Sequence, residues 1–269
     1  MVKMVLLFSL FIYAEDRSLR IRVVGFDFVE TLVQAGFDNE LCLKGLVESL
    51  KDSGLTFSRE DFLLSYSGVI HKYRYLREVT CTEVSNEIWV ADALDLIGQH
   101  FEPESELVRR AVDAYFQPYI DSLTPYSKTL SVLASIHRKY STGLISNFTV
   151  ARVVHKSLEK LGLTKLLDKV VVSDDVKWRK PHPKIFKEFL GSFDAKPEEV
   201  VFIGDSIVHD AYGAKNAGFK TILITGGPNS RIDHRITCYD AKRAEPDFRI
   251  PSIEDVPEVL NELEKDKRE

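Results

Sequence analysis

The sequence predicts an α/β fold, a doubly wound parallel sheet interrupted by an inserted all-helical domain. Short, continuously apolar runs such as VVGF, VVV and VVFIG lack the alternation of half-solvated strands, and strands apolar on both faces belong to parallel sheets packed between helices. From residue 126 onward such runs alternate with amphipathic helical stretches, the rhythm of repeated strand-helix-strand crossovers. Between residues 38 and 121, by contrast, only helical periodicity occurs. The resulting division is an N-terminal extension over 1–16, an α/β core made of 17–37 and 122–269, and a helical cap or lid over 38–121.

Taken in chain order, the first feature is the apolar run Val5 to Ala14 behind Lys3. A short signal peptide or a misassigned start would both produce it, but the single positive charge, the lack of an A-x-A pattern and a length too short for a bilayer favour a non-cleaved structural segment. Val23 to Phe26 is a strand that ends on Asp27. Helical spacing then runs through LCLKGLVESL, FLLSYSGVIHKY, EVSNEIWVADALDLIG and ELVRRAVDAYFQPYI, with Gly54 and Pro103 as punctuation. After Pro125 come a helix over 126–139, strand STGLISN, helix VARVVHKSLEKLG closed by Gly162, strand KVVVS and helix PKIFKEFLGSF. Strand EVVFIGDS, helix HDAYGAKNAG ending at Gly218 and strand KTILIT complete five predicted strands. DVPEVLNELEKDKRE reads as a final amphipathic helix with a solvated, charged end.

A chain of 269 residues with 44% apolar and 29% charged side chains has the composition of a folded globular protein. Its formal charge of −5 offers no basic footprint for nucleic acid, and no membrane partner is expected. Cys42, Cys81 and Cys238 are odd in number and lack ligand spacing, so they read as buried or free thiols in a reducing, cytoplasmic compartment. Oligomeric state has no signature in the sequence.

Asp27, Ser146 with Asn147, Lys180, Asp205 and Asp210 all follow apolar strands, and a parallel sheet gathers such positions into one crevice. Each alone has a plainer reading: helix N-caps or first-turn acids for Asp27, Ser146, Asn147, Asp205 and Asp210, and a solvated loop lysine for Lys180 before Pro181 and Pro183. Those readings explain the residues singly, whereas convergence explains them together. Carboxylate oxygens of this kind suit Mg²⁺, a hard cation that commonly bridges to phosphate. His71, His155, His182, Trp89, Trp178, Tyr73 and Tyr75 read as packing or surface residues, and His209 as a surface residue between Asp205 and Asp210.

DFVETL, LISN, RKPHP and GDSIVHD, in this order and with a helical insertion between the first two, resemble the four motifs of the haloacid dehalogenase (HAD) superfamily of hydrolases. The resemblance runs from residue 22 through nearly the whole chain. It implies a Rossmann-like core with a helical cap, acting on a small phosphorylated metabolite. Asp27 would be the nucleophile, forming an aspartyl ester that water then cleaves. Lys180 would hold Asp27 and the anionic substrate oxygens, which Ser146, Asn147 and Thr31 would also bind. Mg²⁺ would be held by Asp27, the Val29 carbonyl and Asp205, with Asp210 acting through water or as a supporting partner.

Val29 departs from the pattern, because the family's phosphatases usually carry there a second aspartate that protonates the leaving group. Valine transfers no proton. Glu30, in place of the usual glycine, is a candidate substitute base. Three readings follow: a Mg²⁺-dependent phosphatase first, then a 2-haloacid dehalogenase, whose halide leaves without a proton, then a catalytically weak binder of phosphorylated ligands. Retention of Gly204 and Asp205 favours the metal enzyme. A phosphonatase would need a Schiff-base lysine in the cap, for which Lys51 and Lys72 are the candidates.

Overall fold

A computed structural model describes residues 20–226 and 245–265. The apolar run Val5 to Ala14, Cys238 and residues 266–269 lie outside the described residues. In chain order the elements are β1 (Val23–Phe26), β2 (Val33–Gln34), α1 (Asn39–Asp52), α2 (Arg59–Thr80), α3 (Asn86–Asp95), α4 (Glu106–Ser122), β3 (Thr124–Pro125), α5 (Thr129–His137), β4 (Ser141–Ser146) and α6 (Ala151–Lys160). There follow β5 (Lys169–Val172), α7 (Ser173–Val176), α8 (Pro183–Gly191), β6 (Val200–Gly204), a π-helical turn (Ile207–Tyr212), α9 (Gly213–Asn216), β7 (Lys220–Ile224), β8 (Phe248–Ile250) and α10 (Val256–Lys265).

Among the described residues six strands form one sheet in the order β5-β4-β1-β6-β7-β8, with every pairing parallel. The sheet grows from β1 in both directions, so the carboxyl end of β1 lies at the switch point where a doubly wound sheet opens a crevice. Five strands match the predicted runs. The sixth, β8, is three residues long and reads FRI; its strand geometry comes from pairing Ile250 with Ile224, a tertiary contact that no local apolar run announces. The antiparallel pair β2 and β3 is likewise too short for any periodicity, and it closes the base of the helical insertion by setting Val33 against Pro125.

The insertion consists of α1 to α4, and three of these helices begin on side-chain caps: Asp38 accepts from Leu41 N, Ser58 from Asp61 N and Ser105 from Val108 N. Its core is continuous with one face of the sheet, Val24 and Phe26 joining Tyr66, Trp89 and Tyr115 in a single buried cluster. The opposite face packs α8 through Phe186 and Phe189 against Phe202. Trp89 stacks on Tyr73 at 6.1 Å and Trp178 on His182 at 4.1 Å, the packing roles expected of them. Cys42 and Cys81 are buried. Among the described residues no helix is long and apolar enough to cross a membrane.

Three boundaries differ from expectation. The helix predicted over 126–139 begins only at Thr129. The helix predicted through EVSN begins only at Asn86, because residues 82 and 178 form an antiparallel bridge and Glu83 N donates to Lys177 O (3.0 Å), drawing this loop onto the core. The helix predicted as HDAYGAKNAG is a π-helical turn followed by the short α9, with Ala211 N reaching back to Ser206 O (3.1 Å). That wider turn carries Asp210.

Candidate active site

β1 delivers Asp27 to the crevice, and its backbone stays in register for one further step, Asp27 N donating to Ile203 O of β6 (2.8 Å). The chain then turns sharply: Glu30 adopts a left-handed conformation (φ 67°), the geometry that makes glycine usual here, and Leu32 N returns to Phe28 O (2.8 Å). Lys180 is only 2% exposed, and its ammonium donates to Asp27 Oδ1 (2.5 Å), Asp210 Oδ1 (2.7 Å) and the Ile145 carbonyl (3.0 Å). Asp205 leaves β6 buried beside them. Oxygens of Asp27, Asp205 and Asp210 lie within 4.8 Å of one another.

Local geometry fixes each of these groups. Asn147 brackets the backbone of Lys180, its Oδ1 accepting from Lys180 N (2.7 Å) and its Nδ2 donating to Lys180 O (3.0 Å), so this amide joins the second and third predicted motifs and does not cap a helix. Ser206 N donates to Asp210 Oδ2 (2.9 Å), and a Cβ on Gly204 would fall 2.3 Å from that same oxygen. Only glycine leaves Asp210 its place. Ser146 ends β4 buried beside Asn147. His209 is half-buried on the π-helical turn, its Nδ1 3.3 Å from Ser206 Oγ.

A single ammonium, that of Lys180, is shared by two carboxylates with a third beside them. Burial raises the pKa of Asp27 above the ordinary carboxylate range, against the pull of Lys180 and with Asp210 pushing the same way. Burial pulls the Lys180 ammonium down, but Asp210 and Asp27 outweigh it and hold its pKa above normal. Two anions facing one ammonium favour a further cation. Three carboxylates supplying oxygen donors fit magnesium, with Asp27, Asp205 and Asp210 as the side chains able to hold it.

Thr31 is 1% exposed, its hydroxyl has no hydrogen-bond partner among the described residues, and it lines a cavity of about 190 Å³ with Glu30, Tyr126, Ile224 and Glu254. Glu30 accepts from Tyr126 OH (2.7 Å). Lys51 lies over the Phe57 ring (5.7 Å), while hydrogen bonds to Asp92 and Tyr73 raise the pKa of Lys72, the opposite of what a Schiff-base amine requires. Sequence reasoning missed Tyr119 and Tyr126. Burial raises the Tyr119 hydroxyl, with Asp27 and Glu30 adding to the shift, and Tyr126 is raised by burial, Glu30 and Asp205. Neither has a sequence signal, since each reaches the site only through the packing of α4 and β3.

A family profile described as haloacid dehalogenase-like hydrolase matches residues 60–224. The chain belongs to this family. As a haloacid dehalogenase-like hydrolase it is similar to the glyceraldehyde 3-phosphate phosphatases of Pyrococcus furiosus, 29% identical over 92% of this chain and 95% of that one, and of Methanopyrus kandleri, 30% identical over 91% and 100%. In three dimensions it resembles the putative HAD-hydrolase YfnB of Bacillus subtilis bound to magnesium, with a TM-score of 0.57 at 17% identity over 90% of this chain and 99% of that one. That likeness shows that the hydrolase has the family's fold.

Proposed function

We propose that this hydrolase is a Mg²⁺-dependent phosphatase of a small phosphorylated metabolite, working through an aspartyl-phosphate on Asp27. The observation that carries the reading is the buried Lys180 ammonium between Asp27 and Asp210, with the Asp205 carboxylate in the same cluster. Bound there, Mg²⁺ would offset the repulsion between these carboxylates and a phosphoryl group.

Asp27 attacks phosphorus, the bond to the leaving oxygen breaks, and water then attacks the acyl phosphate to release orthophosphate and restore the carboxylate. Lys180 orients Asp27 and neutralises charge on the phosphoryl oxygens, and Asn147 keeps the lysine backbone in register. The Ser146 hydroxyl and Thr31 would bind the same oxygens. The Val29 carbonyl completes the proposed metal donors. Residues 38–121 act as a cap that excludes water over Asp27, held on the core where Arg152 of α6 pairs with Glu87 of α3 and with Asp113 of α4 (2.6 Å). The naming of the relatives makes glyceraldehyde 3-phosphate the first metabolite to assay.

Hydrolysis of p-nitrophenyl phosphate that requires Mg²⁺ and vanishes in Asp27→Asn is the expected result. Val29, which donates no proton, is the one feature that favours dehalogenation. Chloride release from 2-chloropropionate without metal, and no phosphate release, would replace the phosphatase reading with that one.

A further inference from the structure

We infer that Glu83, on the loop between α2 and α3, is a positioning residue for the active site described above, clamping from the cap the two core loops that carry Lys180 and Ser146–Asn147. The inference rests on that reading of the site. The Glu83 side chain is wholly buried, with 0% exposure, although it belongs to a loop between two helices of the insertion. Its Oε2 accepts from the Ser173 hydroxyl and from Arg179 Nη1, while its Oε1 lies 3.6 Å from Arg77 Nε and accepts from Val84 N (3.3 Å).

Both partners of Oε2 adjoin the chemistry. Ser173 Oγ accepts from Phe148 N (2.9 Å), the amide that follows Asn147, and Arg179 immediately precedes Lys180. The loop is also paired with the core through its backbone, Glu83 N donating to Lys177 O (3.0 Å) and Arg179 N to Cys81 O (2.8 Å). One carboxylate thus ties two catalytic loops to each other and to the cap. An apolar side chain would fill the same space without satisfying the Ser173 hydroxyl or the guanidinium of Arg179, and would leave Arg77 and Arg179 facing each other. Burial lowers the pKa of Arg77 to about 10, with Arg179 adding to the fall and Glu83 opposing it. Lys180 then depends on two braces, the Asn147 amide and the Glu83 carboxylate, and only the second reports whether the cap is seated.

The test compares the parent enzyme with Glu83→Gln, which keeps the shape and removes the charge, and with Asp92→Asn, which breaks a cap ion pair to Lys72 (3.1 Å) away from the site. Glu83→Gln is expected to lower kcat for p-nitrophenyl phosphate by roughly 10- to 100-fold with KM changed less than about threefold, as removal of a supporting partner does. Amide hydrogen exchange should rise in 146–149 and 177–182 while α1 to α4 stay protected, and Asp92→Asn should change neither. Should Glu83→Gln not fold, Glu83→Asp carries the same two measurements, since its shorter reach relaxes the same contacts. Unchanged exchange in both loops, or protection lost throughout the cap helices, overturns the inference. If the parent enzyme releases no phosphate, the phosphatase reading fails and the exchange pattern alone decides the role of Glu83.

Discussion

Lys180 is 2% exposed and donates to two carboxylates, an arrangement whose removal leaves Asp27 and Asp210 facing each other without a counter-charge. Breaking a buried ion pair from one side costs about 3–5 kcal/mol, so Lys180→Met should lower unfolding stability by that order, read from denaturant midpoints, and abolish phosphate release. Gly204→Ala is the steric counterpart: its methyl would meet Asp210 Oδ2 at 2.3 Å and push that carboxylate off Ser206 N and Lys180. A loss of roughly 1–3 kcal/mol together with a fall in kcat is expected. Val29 bears on proton transfer. Supplying a carboxyl with Val29→Asp should raise hydrolysis of an alkyl phosphate more than that of p-nitrophenyl phosphate, whose leaving group departs without protonation. An unchanged or lower rate on the alkyl phosphate would mean that another group already delivers the proton.

At the level of elements, the outer strands of the sheet are joined by Asp247, which stands just before β8 and accepts from Thr221 N (2.9 Å) and Thr221 Oγ1 (2.9 Å) on β7. Burial alone would raise its pKa, but the Thr221 hydrogen bonds, with Lys215 and Lys220 nearby, hold it below the usual carboxylate range. A depressed folded-state pKa means that the stabilisation is present above the unfolded carboxyl value of about 4 and is lost as pH falls through that value toward the folded one. Asp247→Asn should therefore lower stability at neutral pH and flatten the acid limb of the stability profile. An acid limb identical to that of the parent would remove Asp247 from the account. The same element explains why β8 was illegible: three residues reading FRI become a strand through partners on β7.

Across the whole molecule, the acidic cluster joins β1, β6 and the π-helical turn, so a cation bound there would tie together segments that separate on unfolding. Any ligand that binds only the folded state stabilises it by about 2.7 kcal/mol at a hundredfold excess over Kd. Magnesium at that excess is expected to raise the melting temperature by roughly 5–10 °C for a domain of this size. Asp205→Asn should remove most of that shift, and a shift of equal size in parent and variant would place the ion elsewhere. This readout needs no turnover, so it separates metal binding from catalysis.

The sequence by itself determined the parallel sheet, and it pointed to the helical insertion and to the meeting of Asp27, Lys180, Asp205 and Asp210, because strands buried on both faces and polar residues just beyond them leave a local pattern. It also marked Val29 and Glu30 as unusual, since both depart from a short motif. Only the tertiary structure decided that Asn147 grips the Lys180 backbone, that Thr31 lines a cavity with Glu30 and Tyr126, that Tyr119 and Tyr126 approach the acids, and that Glu83 lies in a core-bound loop where helical periodicity predicted a helix. Those facts depend on which distant surfaces meet. The buried contacts that fix them, an ion pair or a bridging amide, join residues too far apart in the chain to leave any periodic trace.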